Sequence, residues 1–344
     1  MNGPVDPPAV YWHQFNGVAH DRSDQAESNR DECRLESRKA ASAQTGNRMN
    51  PLRQWLRGGL LITDGAWGTE LQARGLPSGV KPDSWNLTYP DRVESVARAY
   101  AEAGSQVILT NTFRANAVAM HSTSKADLDA INRAGVAISR RAAGQALVFA
   151  SIGPTGKILL SGEIGAEQVA AAFAAQAASL ATAGADALLI ETMSDIEEAR
   201  LAVAAALRTG LPVIASFAFD SGKNKDRTMM GATPEAVAAA MVEAGADAVG
   251  ANCGVGVEQA VPICRRLRMA CDLPIWIKPN AGLPTIEGTA VRYNTSADFF
   301  ASHYAALHAA GAAFLGGCCG STPDFIRALV RAQRTESPTN QIAN

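Results

Sequence analysis

The sequence has no uninterrupted apolar run of about 18 residues, so no segment reads as a transmembrane helix. Charge favours neither sign: 31 Lys+Arg stand against 33 Asp+Glu, a formal net of −2 at pH 7. Without a basic excess, nucleic-acid binding has no electrostatic support. Six cysteines in 344 residues are too few for a disulfide framework. The N-terminus lacks the charged-then-apolar pattern of a secretory signal, and residues 1–48 are too acidic for a typical organelle transit peptide. The expected compartment is a reducing cytosol, where clustered cysteines bind metal or do chemistry rather than cross-link.

What the sequence does have is a repeat. Residues 1–50 are polar and aperiodic and are expected to be a disordered extension, with Met49 as a possible alternative start. Beyond them, strand-length apolar runs occur at 59–63, 106–111, 147–152, 186–191, 212–217, 247–252, 274–278 and 312–316. Near-continuous apolar runs suit parallel strands buried on both faces. Helical patterns lie between them, for example at 92–103, 166–183, 196–208, 233–243, 257–270 and 297–310. Several end in Ala-Gly followed by a small residue, as at Gly104, Gly184, Gly245 and Gly311, which predicts a left-handed cap before the next strand. Eight units spaced by about 36 residues predict a single-domain α/β fold, a (β/α)8 TIM barrel over residues 51–335 with a short disordered tail at 336–344. The first strand runs into Asp64-Gly65-Ala66-Trp67-Gly68-Thr69, which is not the phosphate-binding fingerprint of a doubly wound sheet.

Barrel chemistry sits at the carboxyl ends of the strands. Those ends hold Asp64, Asn111-Thr112, Gly153-Pro154, Glu191-Thr192, Phe219-Asp220, Cys253, Asn280 and Cys318-Cys319. The set is rich in acids, amides and thiols and poor in bases, and none of the five histidines falls in it. Alternate strands feed one layer, so Cys253 on the sixth and Cys318 and Cys319 on the eighth can converge. Three thiolates are incomplete as a structural zinc site but suit a catalytic Zn(2+) with an open position. Such an electron-rich site favours binding another thiol over making hydroxide, which points to alkyl transfer to sulfur. The alternatives are three small buried hydrophobes or a redox-active vicinal pair. Cys264 and Cys271, on or just after the sixth helix, read as structural, and Cys33 falls in the extension.

Seven ordered motifs carry a resemblance: Thr63-Asp64-Gly65-Ala66-Trp67-Gly68-Thr69-Glu70, Thr110-Asn111-Thr112-Phe113, Gly153-Pro154-Thr155, Ile190-Glu191-Thr192, Asn252-Cys253, Pro279-Asn280-Ala281-Gly282 and Gly316-Gly317-Cys318-Cys319-Gly320. Over residues 58–332 the sequence resembles the homocysteine S-methyltransferase family of zinc-dependent barrels, and most of all the homocysteine module of its cobalamin-dependent members. The resemblance implies a methyltransferase in methionine biosynthesis. Cys253, Cys318 and Cys319 would hold zinc, and the zinc-bound homocysteine thiolate would attack a donor methyl group to form methionine. It further implies that Asp64 and Glu191 receive the substrate ammonium, while the Gly65 and Ala66 amides could take its carboxylate. The plainer readings are a helix N-cap for Asp64 and a salt bridge in the barrel mouth for Glu191. Asn280 could offer its amide oxygen to the metal, or serve only a turn.

Betaine as donor would need an aromatic cage. Arg114 and Thr192 occupy the positions where betaine enzymes carry aromatics, which leaves Trp85 alone. The expected donor is a methyl-corrinoid carried by a separate protein, or S-methylmethionine or S-adenosylmethionine binding directly. Competing readings are a non-enzymatic zinc- or thiol-binding barrel and a methyltransferase acting on a different thiol or selenol; the oligomeric state cannot be read. The Asn-X-Ser/Thr triplets at Asn86 and Asn294 have no secretory context, and Gly254-Val255-Gly256 fails as a dinucleotide loop at Gln259. Lys223, Lys225, Asp226 and Arg227 read as a solvated loop.

Overall fold

The computed structural model describes residues 51–122, 124–287 and 290–336. The expectations for the extension, for Met49, for Cys33 and for the tail beyond Glu336 lie outside the described residues. Among the described residues ten strands are present: β1 (Leu61–Ile62), β2 (Val107–Leu109), β3 (Leu147–Ile152), β4 (Ala187–Met193), β5 (Val213–Phe217), β6 (Ala248–Gly256), β7 (Ile275–Asn280), β8 (Pro284–Glu287), β9 (Ala290–Tyr293) and β10 (Ala312–Leu315). All but β8 and β9 form one parallel sheet in the order β1-β10-β7-β6-β5-β4-β3-β2. A parallel bridge from Thr63 to Val107 joins its two ends. The Gln106 side chain reinforces that seam, its Oε1 accepting from Ile62 N at 2.9 Å. This is the (β/α)8 barrel, and each of its eight strands falls on one of the apolar runs.

Residue alternation divides the strands between two cores. Inward-facing Phe149, Trp276 and Phe314 pack on one another, with ring centroids 5.2–6.1 Å apart. Leu109, Leu189 and Ile214 complete that inner layer. Outward-facing residues such as Ile108, Leu188 and Ile277 pack against the helices. Burying one such side chain stabilises the fold by about 2 kcal/mol. The helix Pro51–Trp55, which the sequence pattern did not show, contributes Leu52 to the inner layer and sets Trp55 5.5 Å from Phe149.

Helices Pro90–Glu102, Ala166–Thr182, Ile196–Leu207, Pro234–Glu243 and Val257–Ala270 match the helical patterns to within two residues. Left-handed glycines end the expected ones, as at Gly184 (φ 93°) and Gly245 (φ 82°). The pattern at 297–310 is instead two helices, Ala297–Ala301 and Tyr304–Ala309. Between them Ser302 Oγ donates to Phe299 O at 2.7 Å, and His303 Nδ1 lies 3.0 Å from the same carbonyl. Side chains thus take over a carbonyl that a continuous helix would pair with its own backbone. The charged loop after β5 is not simply solvated, because Asp226 pairs with Arg266 at 2.5 Å. Among the described residues no helix is long and apolar enough to cross a membrane.

Candidate active site

The three cysteines meet at the carboxyl ends of β6 and β10. Cys253 Sγ and Cys319 Sγ are 3.8 Å apart, and all three sulfurs lie within 4.8 Å of one another. Over the last four residues of β6 the chain leaves regular strand geometry, with Cys253 at φ 59° and Gly254 at φ 68°, and the register with β7 shifts between Asn252 and Gly256. A Cβ at Gly254 would stand 2.6 Å from Phe219 O, so only glycine lets the backbone pass there. Thr192, at the end of β4, has φ 61°. A left-handed non-glycine residue costs on the order of 1–3 kcal/mol, so both need support. Asn252 supplies it: its Oδ1 accepts from Thr192 N (2.9 Å) and Ser216 Oγ (2.7 Å), and its Nδ2 donates to Thr192 Oγ1 (2.7 Å). Across the mouth, Cys318 N donates to Pro279 O at 2.7 Å and Ala281 N to Cys319 O at 2.9 Å, which ties the vicinal pair to β7.

Hydrogen bonds from Cys318 and Cys319 hold the Cys253 thiol far below its ordinary range, against the effect of burial. The same contacts, with burial, push Cys318 and Cys319 up. One thiolate is stabilised at the expense of the other two, and a soft cation is the partner that would let all three ionise. The Asn280 side chain faces Cys253 and helps to lower its pKa, and its Oδ1 is buried with no hydrogen-bond partner among the described residues. Three convergent sulfurs beside an orphaned amide oxygen fit a zinc-type donor set. Cys264 lies apart from this group, bonded to Leu307 O and Ala310 O, and burial pushes its thiol up to about 12.

Below the thiols lies a buried charged cluster that sequence reading captured only in part. Asp64 Oδ1 is in direct contact with Lys278 Nζ, while Oδ2 accepts from Trp67 Nε1 and Leu109 N, each at 2.8 Å. Lys278 was hidden in an apolar strand, and the expectation of a mouth poor in bases missed it. The plain N-cap role for Asp64 is not found, since no side-chain cap bond opens the following helix Gly68–Ala73. The other acid, Glu191, accepts from Ser151 Oγ through Oε1. Burial raises its pKa above the usual carboxylate range, with Lys278 and Ser151 acting in the opposite direction.

The turn after β1 differs from expectation. Ala66 N is already engaged by Ser321, through Oγ at 3.1 Å and O at 3.4 Å, so it is not free to take an anion. Gly65 N makes no hydrogen bond among the described residues. Tyr100 Oη donates to Ala66 O at 2.7 Å and fixes the turn from below.

Trp85 is buried beside Tyr89, and the Arg92 guanidinium lies over both rings, so it is not an open cage wall. Arg114 N donates to Asp83 at 2.8 Å. Sequence reading also missed Tyr293, which pairs with Pro284 in the β8–β9 hairpin and faces Cys319; burial, helped by the nearby Cys319 charge, raises the tyrosine pKa.

Residues 61–333 match the family model described as Homocysteine S-methyltransferase. The chain is 31% identical over 306 residues to the methionine synthase of Mycobacterium tuberculosis (strain ATCC 25618 / H37Rv), covering 83% of this chain and 25% of that protein. It is also 31% identical over 293 residues to the Mycobacterium leprae (strain TN) methionine synthase, covering 79% of this chain and 24% of that one. It therefore spans about a quarter of the length of these curated relatives. Among solved structures, the metallated form of the homocysteine methyltransferase MmuM from Escherichia coli superposes with a TM-score of 0.68 at 28% identity, over 81% of this chain and 99% of that one. Its apo form gives 0.65 at 26%, over 82% and 100%. With the barrel and the thiol cluster in place, these matches make the chain a methyltransferase belonging to the homocysteine S-methyltransferase family.

Proposed function

We propose that this enzyme methylates the sulfur of homocysteine to give methionine, with Cys253, Cys318 and Cys319 holding the zinc ion that the chemistry uses. The observation that carries the reading is the convergence of three sulfurs from two strands within 4.8 Å. Zinc bound there would supply a Lewis acid that keeps an incoming thiol ionised at neutral pH, when a free thiol is only a few per cent thiolate.

The chain's own residues do the rest. The Cys318–Cys319 backbone is pinned to Pro279 and Ala281, and Asn252, next to Cys253, is tied to Thr192 and Ser216, so the sulfurs present a fixed target. The buried acids give the floor of the mouth the negative charge that attracts the α-ammonium group. Gly65 N–H remains available to the α-carboxylate. Held in this way, the substrate sulfur approaches the donor in line. The sulfur–methyl bond forms as the donor–methyl bond breaks, and the electron pair leaves with the donor.

For the donor we propose a methyl-corrinoid delivered by a separate protein. Ile158, Leu160, Met229, Met230 and Leu283, on the loops following β3, β5 and β7, are exposed around the mouth and suit a large carrier. A small onium donor lacks its cage: Thr192 is bonded to Asn252, and Trp85 is covered by Arg92. The test is a donor panel with zinc-loaded protein and homocysteine, scored for methionine. Methylcobalamin should give product, betaine none, and S-methylmethionine and S-adenosylmethionine less. Cys319→Ala should lose zinc and lower the rate on the order of 10²-fold or more, with an unchanged far-UV spectrum. Absence of methionine with every donor would overturn the reading.

A further inference from the structure

Inward-facing residues alternate along β7 as Trp276, Lys278 and Asn280. Trp276 belongs to the packed barrel interior, and Asn280 faces Cys253. Lys278 occupies the layer between them. Its side chain is 2% exposed and that of Asp64 0%, so the ammonium and its carboxylate are sealed together beneath the thiols. Both Asp64 oxygens are in use: Oδ1 by Lys278 Nζ, and Oδ2 by Trp67 Nε1 and Leu109 N. Glu191 differs. Its hydrogen bond from Ser151 goes to Oε1, and Oε2 has no partner among the described residues. Two carboxylates and one ammonium leave the cluster one positive charge short of balance, and the open oxygen belongs to Glu191. The raised pKa of Glu191 agrees with a buried acid still lacking a full counter-ion.

We infer that Lys278 is a specificity-determining positioning residue: by permanently pairing with Asp64, it makes Glu191 the one acid that receives the α-ammonium group of the substrate. The inference rests on homocysteine being the substrate and reassigns one of the two acids expected to hold it. Asp64 then acts through Lys278 and Trp67, shaping the floor, and does not touch the amino acid. The arrangement also sets the charge the site accepts. With Lys278 in place, one ammonium neutralises the cluster, so a thiol without an amino group leaves Glu191 buried and unpaired.

The test compares homocysteine with 4-mercaptobutanoate, the same thiol acid without its amino group, in the zinc-loaded full-length chain. Wild type should prefer homocysteine on the order of 10²-fold in kcat/KM. Asp64→Asn/Lys278→Met, which removes the ion pair as a unit, should keep that preference to within about threefold, even where its overall rate falls. Glu191→Gln, near-isosteric and still able to accept from Ser151, should lose most of it. A double variant that discriminates as poorly as Glu191→Gln would overturn the inference.

A second measurement needs neither donor nor turnover. Asp64→Asn and Lys278→Met should each lower Tm, and the double variant should recover part of the loss, because each single change strands a buried charge. Additive losses would overturn the permanent pairing. Homocysteine alone should raise the Tm of the zinc-loaded wild type and of the double variant, but not of Glu191→Gln. If homocysteine fails to stabilise wild type while the Tm cycle still shows coupling, the substrate reading has failed and the ion pair stands.

Discussion

Thr192 and Cys253 both sit in the left-handed region of backbone space, and the Asn252 side chain is what ties that pair of strand ends together. A β-branched residue reaches φ 61° only where its surroundings compel it. Here the compulsion is a buried amide that satisfies Thr192 N and Thr192 Oγ1 at once and takes Ser216 Oγ as well. Asn252→Ala would strand the Thr192 N–H and release the turn that aims Cys253. The expected cost is about 2–4 kcal/mol, whereas Ser216→Ala, which removes one of the three bonds, should cost about 1 kcal/mol. Urea unfolding measures both, and equal midpoints for the two variants would show that the strain is held elsewhere.

At this scale the thiols were legible because a glycine-flanked cysteine pair is rare enough to stand out in a sequence. Lys278 was not. Within Ile275-Trp276-Ile277-Lys278 a terminal lysine reads as the polar end of a buried strand, and its counter-ion lies 214 positions away on β1.

Between residues and the barrel lie the short connecting pieces, and these are where sequence reading did least. The eight barrel strands announce themselves by apolar runs buried on both faces. The β8–β9 hairpin has only four-residue strands and no continuous apolar character, yet it brings Tyr293 to Cys319. The turn Pro82–Ser84 is similar: short, polar, and fastened by Asp83 accepting from Arg114 N in the loop after β2.

Burial pushes the Asp83 pKa from 3.8 up to about 6. Well below pH 3.8 the group is protonated in both folded and unfolded chains and costs nothing. As pH rises toward about 6, the unfolded chain gives up this proton while the folded chain keeps it, so stability falls and then levels off. Asp83→Asn stays neutral and can still accept from Arg114 N. Its stability relative to wild type should therefore climb between about pH 4 and pH 6, reaching about 3 kcal/mol in its favour by pH 7. Denaturant titrations at pH 4 and pH 7 measure this, and a constant difference across that interval would locate the buried proton elsewhere.

At the scale of the whole molecule, the hydrophobic core and the chemistry are separate structures sharing one scaffold. The inner layer of Phe149, Trp276 and Phe314 and the outer strand–helix layer contain none of the three clustered cysteines. The sulfurs sit above that core, anchored by backbone hydrogen bonds between strand ends. A small zinc domain without such a core unfolds when its metal is removed. A barrel of this size buries enough apolar surface to stand without the ion. Exhaustive chelation should therefore abolish methyl transfer while leaving the far-UV spectrum unchanged and thermal unfolding cooperative, with Tm lower by only a few degrees as the binding contribution is lost. Re-addition of zinc should restore activity without a refolding step. Loss of cooperative unfolding on chelation would mean instead that the thiol cluster holds β6 and β10 together, and that the backbone bonds at their ends depend on the metal.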